Sequence, residues 1–265
     1  MSRSITLGQY LPGDSLIHRL NPRLKILNLV VVLVLLFALE SFPGLLVLLG
    51  IALFLYILAG IPFRYILRGL RPIIFIILFA LIVYFFFTGG GVVLFRLGII
   101  TIETEGVRQG TFIVTRLVIL ILFSLLLTLT TTPLSLSNAI GFYLKPFRYV
   151  GLPAEEVAMI MTIALRFIPT LMEESQRLMR AQTARGADFE SGSFFQRAKN
   201  LVPLIVPLFI SAFRRADDLA LAMEARGYRI GAERSSLYED VIMPRDWGSF
   251  AFILILLVVA LTLGL

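Results

Sequence analysis

The sequence predicts an all-α integral membrane protein with about five transmembrane helices and a cytoplasmic segment of three helices, two of them long. Three observations carry this reading. The 265 residues are 58% hydrophobic with a mean hydropathy of +0.92, more apolar sequence than a soluble domain of this size needs. Five runs are long and apolar enough to cross a bilayer, which takes about 17–25 residues. Between positions 133 and 246 the pattern changes to apolar runs too short to span, each continuing into charged helical sequence.

The five spans are 24–41, 43–61, 72–88, 111–132 and 247–265. The first two form a tight helical hairpin, because only Glu40-Ser41-Phe42-Pro43-Gly44 separates their cores. Pro43 and Pro72 suit first-turn positions, where no backbone donor is lost. Between the third and fourth spans, the runs 92–97 and 99–104 around Gly98 read as a short β-hairpin. Arg19, Arg23 and Lys25 precede the first span, and Arg64, Arg68 and Arg71 lie between the second and third, whereas no Lys or Arg separates the first from the second. By the positive-inside rule the N-terminus is expected in the cytoplasm and, after five spans, the C-terminus outside. Three regions follow: 1–132 with four spans, 133–246 in the cytoplasm, and 247–265 with the last span.

The cytoplasmic region reads as helices over 133–150, 153–185 and 194–226. Pro153 starts the second, with Glu155 and Glu156 in the first turn where the helix dipole favours them. Pro203 and Pro207 are expected to bend the apolar half of the third. At ~1.5 Å per residue the two long helices each extend about 45–50 Å, more than a membrane thickness. Their apolar halves can lie against the membrane or a membrane partner while the charged halves reach away.

Charge and residue inventory exclude several functions. Of the formal net charge of +7, region 133–246 carries only +1, so the basic surplus belongs to the membrane flanks and argues against nucleic-acid binding. With no Cys and one His (His18, in the basic N-terminal flank), structural zinc, thiol catalysis and disulfides fall away, and no cofactor or metal is expected. No phosphate-binding GxxxxGK[ST] loop and no HExxH is present. Glu155-Glu156, Glu173-Glu174 and Asp217-Asp218 are sequence neighbours that point to different helix faces, not metal-binding pairs.

The most informative motif is a repeat. Ala184-Arg185-Gly186 and Ala225-Arg226-Gly227 each close an Ala-x-x-Ala-Arg-Gly pattern at the end of a long helix, 41 residues apart. Taken singly, each is an ordinary stop: Arg complements the negative helix end and Gly caps it in the left-handed conformation. Taken together they describe two equivalent contact points. Leu171, Leu178 and Arg185 are spaced by seven, and Leu219, Ala222, Met223 and Arg226 follow a helical stripe, so each Arg continues an apolar face. A planar guanidinium there suits an acidic residue in a partner's groove. Ala212, Ala216 and Ala220, at four-residue spacing, allow a close helix crossing, although alanine is also simply a good helix former. Met159, Met161, Met172 and Met179 supply a repackable face or ordinary core. Arg116, inside the fourth span, needs a partner, for which Glu103 or Glu105 is in reach if the span starts deeper.

These residues resemble the transmembrane T component of energy-coupling factor (ECF) vitamin transporters over nearly the whole chain and, less closely, the T components of cobalt, nickel and biotin modules. The resemblance rests on Gly8-Gln9-Tyr10, Pro12-Gly13-Asp14-Ser15, His18-Arg19-Leu20-Asn21-Pro22-Arg23, Ala164-Leu165-Arg166-Phe167-Ile168-Pro169-Thr170 and the two Ala-Arg-Gly motifs. Asn21 stands where that family's pattern has Asp. The resemblance implies a non-catalytic subunit in a bacterial or archaeal cell membrane, with two ABC ATPases and small membrane-embedded S components as partners. Ala184, Arg185, Gly186, Ala225, Arg226 and Gly227 would dock the ATPases. The crossing at Ala212, Ala216 and Ala220 would carry their motion to the apolar halves of this coupling segment, where Met159, Met161, Met172, Pro203 and Pro207 would touch the S component. A secondary transporter or channel is the competing class, resting on Arg116 alone, with no inverted repeat in view; a membrane enzyme would need clustered acids or metal ligands that the sequence lacks.

Overall fold

The structure is a computed structural model and describes residues 10–97, 100–151, 153–189, 191, 193–229, 231 and 243–264. The chain divides into two compact units, Met1–Ala139 with Tyr238–Leu265, and Ile140–Leu237.

The first unit is a helical bundle. Helix α1 (Pro22–Ala38) starts on Asn21, whose side-chain oxygen accepts from the Arg23 amide at 2.9 Å while Pro22 occupies the first turn. Helix α2 (Phe42–Ala59) is capped by the Ser41 hydroxyl at the Gly44 amide and ends at Gly60, with φ of 67°. Only residues 39–41 separate the two helices, as expected, but they make few contacts with each other and do not pack as a hairpin. The third span departs from expectation: helix α3 (Phe63–Leu70) passes through a 3-10 turn (Arg71–Ile73) into α4 (Ile74–Phe87). The helical run therefore reaches back to Phe63, but its apolar part, α4, matches the predicted span, while the stretch before it carries Arg64, Arg68 and Arg71; Pro72, in the first turn of the new segment, sacrifices no internal hydrogen bond.

Strands β1 (Val93–Leu97) and β2 (Ile100–Glu103) form the expected antiparallel hairpin, whose turn at 98–99 lies outside the described residues. Helix α5 (Thr104–Thr130) begins seven residues before the predicted 111, directly from β2. Its early start is made possible by Gly106 and Gly110. A Cβ at Gly106 would sit 2.8 Å from the carbonyl oxygens of Thr88 and Tyr84, and one at Gly110 would meet the Phe85 ring at 3.0 Å. Only glycine lets α5 lie this close to α4.

Helices α2, α3–α4 and α5 are long and apolar enough to cross a membrane. Helix α1, with 17 residues, rises about 26 Å, at the short end of a span. Helix α9 (Pro244–Gly264) completes the unit and packs on α1 and α2. The core lies among α1, α2 and α5, where Leu36, Leu45 and Ile119 are fully buried and the Tyr56 hydroxyl donates to the Leu122 carbonyl at 2.9 Å. By contrast α4 buries no side chain and exposes Phe75, Ile76, Phe79 and Phe87, as a lipid-facing helix does.

Helix α6 (Pro133–Leu144) starts on Thr132, whose hydroxyl accepts from the Ser135 amide. It carries the division between the units. The single helix expected over 133–150 changes at Lys145 into a 3-10 segment, Lys145–Val150, which contains Pro146. In the second unit, α7 (Ala154–Ala184) and α8 (Phe194–Ala225) are the two long helices, within a residue of their predicted bounds. The Ser193 hydroxyl caps α8. Pro169 lies inside α7, and Pro203 and Pro207 inside α8.

Candidate functional site

The two helix ends are closed by the same hydrogen-bond pattern. At the end of α7, Gly186 (φ 89°) donates to the Thr183 carbonyl at 2.9 Å and Ala187 to the Gln182 carbonyl at 3.0 Å. At the end of α8, Gly227 (φ 74°) donates to Glu224 at 2.9 Å and Tyr228 to Met223 at 3.0 Å. Both are Schellman caps, in which two terminal carbonyls find donors and the chain turns through a left-handed glycine. The cap residue is Arg in each, with φ and ψ of −87° and 5° for Arg185 and −89° and 9° for Arg226. The backbone geometry of the two sites is therefore one geometry made twice. Both arginines are exposed, and among the described residues neither forms an ion pair. The glycines terminate the helices; the guanidiniums are left to face outward.

Midway along the helices a polar tie joins them. The Arg215 Nη2 donates to the Glu174 carboxylate at 2.9 Å. The Ser211 hydroxyl, one turn earlier on α8, faces this carboxylate, and with Arg215 it holds the Glu174 carboxyl below the usual carboxylate range. Ala212, Ala216 and Ala220 lie on α8 beside this tie. Ala212 is half-buried and Ala216 and Ala220 are exposed, and all three line an open apolar groove with Ile163 and Phe167 of α7. Leu219, Met223 and Tyr228 continue the groove to the Arg226 end.

The residues expected to meet an S component are more scattered. Met159, Met161 and Met172 are half-buried, Pro203 is exposed and Pro207 half-buried. At ~100° per residue, Met161 and Met172 share a face of α7, whereas Met159 lies about 160° from them. Ile205, Phe209 and Phe213 of α8 are exposed, with the two rings edge-to-face at 4.8 Å, and make the larger apolar surface that the sequence reading passed over.

Arg116 is not paired with Glu103 or Glu105. Its Nη2 donates to the Leu39 carbonyl at 2.5 Å, and its guanidinium lies over the Phe112 ring (4.7 Å) and near the Phe37 ring (5.8 Å). The carbonyls at the end of α1 lack helical donors, and the guanidinium supplies one, a use of a charge in a span that implies no substrate path.

The first unit also holds a buried polar cluster for which the sequence contained no local signal. Asp246, 1% exposed, accepts from the Asn21 amide at 3.0 Å and the Met243 amide at 2.7 Å. Lys25 donates to the carbonyls of His18 and Thr130 and to the Thr131 hydroxyl, at 3.2, 2.8 and 3.3 Å. His18, expected to be a bystander in the basic flank, is bonded through both ring nitrogens, to the Ser15 hydroxyl at 2.7 Å and the Leu11 carbonyl at 3.0 Å. A carbonyl only accepts, so Nε2 carries the proton toward Leu11. The Pro-Gly-Asp-Ser and His-Arg-Leu-Asn-Pro-Arg stretches are thus structural: they fold the N-terminal segment onto the ends of α1, α5 and α9.

Comparison with known proteins agrees with this organisation. The family model of the cobalt transport protein CbiQ matches residues 13–237. The energy-coupling factor transporter transmembrane protein EcfT of Thermosediminibacter oceani is 52% identical over 248 residues, covering 94% of this chain and 93% of its own. That of Brevibacillus brevis is 46% identical over 261 residues, 98% of each chain, and that of Clostridium kluyveri 48% identical over 248 residues, 93% and 92%. With two Arg-Gly helix ends of one geometry on a cysteine-free helical membrane chain, and such identity over nearly its full length, this protein belongs to the CbiQ family of cobalt transport proteins, in the branch of the energy-coupling factor transporter transmembrane proteins.

Proposed function

We propose that this T component acts by carrying the motion of two ABC ATPases to a small S component that binds the substrate, for uptake of vitamins or other micronutrients, with no chemistry of its own. The observation that carries the proposal is the pair of exposed arginines on matching Schellman caps. One exposed Arg-Gly helix end is ordinary. Two with the same backbone geometry fit two homologous docking grooves. An acidic groove that desolvates each guanidinium would supply directional, bidentate bonds. The apolar surface of α7 and α8, including Phe209 and Phe213, is the face offered to the S component, and the open alanine groove lies between it and the Arg226 end. In this reading α1, α2, α3–α4, α5 and α9 are the five spans in the cell membrane, the N-terminus is cytoplasmic, the C-terminus lies outside and residues 133–246 are cytoplasmic. The use of Arg116 as a cap for α1 removes the observation on which a secondary transporter rested.

The test is mass spectrometry of what co-purifies with the tagged chain from its native membranes in mild detergent, for the wild type and Arg185→Ala/Arg226→Ala. Two ABC ATPases and one or more small membrane proteins, with the ATPases lost from the double variant, is the expected result. Partners indifferent to both substitutions would reduce the motifs to plain helix caps. ATP-independent transport by the chain alone would restore the transporter reading.

A further inference from the structure

We propose that Glu174, Ser211 and Arg215 are positioning residues that form the pivot of a two-armed lever, with Arg185 and Arg226 at the tips of two equal, stiff arms. The inference rests on the function proposed above for those two arginines, and adds what sets the distance between them.

The geometry is symmetrical in sequence. Glu174 precedes Arg185 by 11 residues, and Arg215 precedes Arg226 by 11. The tie itself joins residues 41 apart, the same offset that separates the two arginines. Eleven residues make about three helical turns, so each arm is about 16 Å long and each tip lies within about 20° of the face that carries the tie. Neither arm contains Pro or Gly. The three internal prolines, Pro169, Pro203 and Pro207, all lie before the tie, in the apolar halves. Bending is thus confined to the side that would meet the S component, and the side that would meet the ATPases is straight.

The tie is also suited to a pivot. Packed apolar side chains would resist a change of angle, whereas the alanine groove beside the tie is open. Glu174 is held by the long guanidinium of Arg215, with the short Ser211 side chain beside it, so the helices can rotate about the carboxylate while the contact persists. A change in separation of the tips then becomes a rotation about this point, and not a sliding of one helix along the other.

The chain contains no cysteine, so spin labels on Arg180→Cys and Leu221→Cys report on the arms alone. Both positions are exposed and 41 residues apart. Pulsed dipolar spectroscopy on the full chain in detergent would be compared for the otherwise wild-type chain, Glu174→Gln, Arg215→Gln and the reversed pair Glu174→Arg/Arg215→Glu. The expected result is one narrow distance distribution in the wild type, a broadened one in each single variant, and a narrow one regained in the reversed pair. In the assembled transporter the single variants should lower uptake per ATP hydrolysed by about two- to fivefold, the scale of a partly exposed ion pair, with the ATPases still bound. Equal widths in all four chains would overturn the pivot, as would broadening without any loss of uptake per ATP. Absence of ATPases from the wild-type complex would instead overturn the docking reading, whatever the distances.

Discussion

The two units of this chain solve different problems. The first encloses a core: Leu36, Leu45, Leu48, Tyr56, Ile119 and Leu122 are buried among α1, α2 and α5, and the polar groups beneath them are bonded across hundreds of residues of sequence. The second encloses almost nothing. Among its described residues only Gly141, Ala154 and Leu204 are buried, while Phe195, Ile205, Phe209, Phe213 and Leu221 are exposed. A membrane supplies one surface for apolar side chains, but a long helix pair with a polar tie and an open groove beside it leaves surface free for other chains. The contrast teaches where stability and where coupling reside: substitutions in the first unit should unfold the protein, and substitutions in the second should leave it folded and disconnect it.

The largest effect expected is that of Arg185→Ala/Arg226→Ala. Truncating a desolvated interfacial charge costs ~2–5 kcal/mol at each site, so uptake should be lost altogether while the melting temperature of the isolated chain is unchanged; substrate uptake into proteoliposomes and a thermal melt in detergent check the two halves. Asp246→Ala should give the opposite pattern. It strands the amides of Asn21 and Met243, at about 1–3 kcal/mol for each buried donor, and should lower the melting temperature of the chain even without partners. If Asp246→Ala melted like the wild type, the division of labour between the units would be broken.

A smaller effect sharpens the comparison. Gly186→Ala and Gly227→Ala meet no neighbour within 4 Å but place a Cβ on left-handed backbone, at a cost of about 1–2 kcal/mol. Each should fray the last helical turn and weaken the docking of its own Arg, reducing ATPase retention severalfold in pull-downs without abolishing it. The smallest effect is that of acid. Because the Glu174 carboxyl is held below its ordinary value first by Ser211 and then by Arg215, with Arg177 also nearby, its contribution is complete above the ordinary carboxylate value of about 4.3. It is lost as the pH falls through the depressed value of the folded chain. Between pH 8 and 6 the distance between labels at positions 180 and 221 should not change, and only as the pH falls below the ordinary carboxylate range should its distribution broaden toward that of Glu174→Gln.

The features set by residue order alone are local. The bounds of α7 and α8 were legible to within a residue, because Pro153 with Glu155 and Glu156, Arg185-Gly186 and Arg226-Gly227 act through the dihedrals and dipoles of their own turns. The apolar helices α2, α4 and α5 were legible from composition, and the β-hairpin from alternation around a glycine. The start of α5 was not, since it depends on α4 accepting the bare backbones of Gly106 and Gly110. Which distant groups meet was settled by packing across the chain. Asn21 and Asp246 are 225 residues apart and Glu174 and Arg215 are 41 apart, and a carboxylate reads the same in sequence whether it is solvated or tied. That packing also turned Arg116 toward the end of α1 and left Ala216 and Ala220 facing an open groove. Periodicity names the face on which a side chain sits, but what stands opposite that face is set by the packing of other elements.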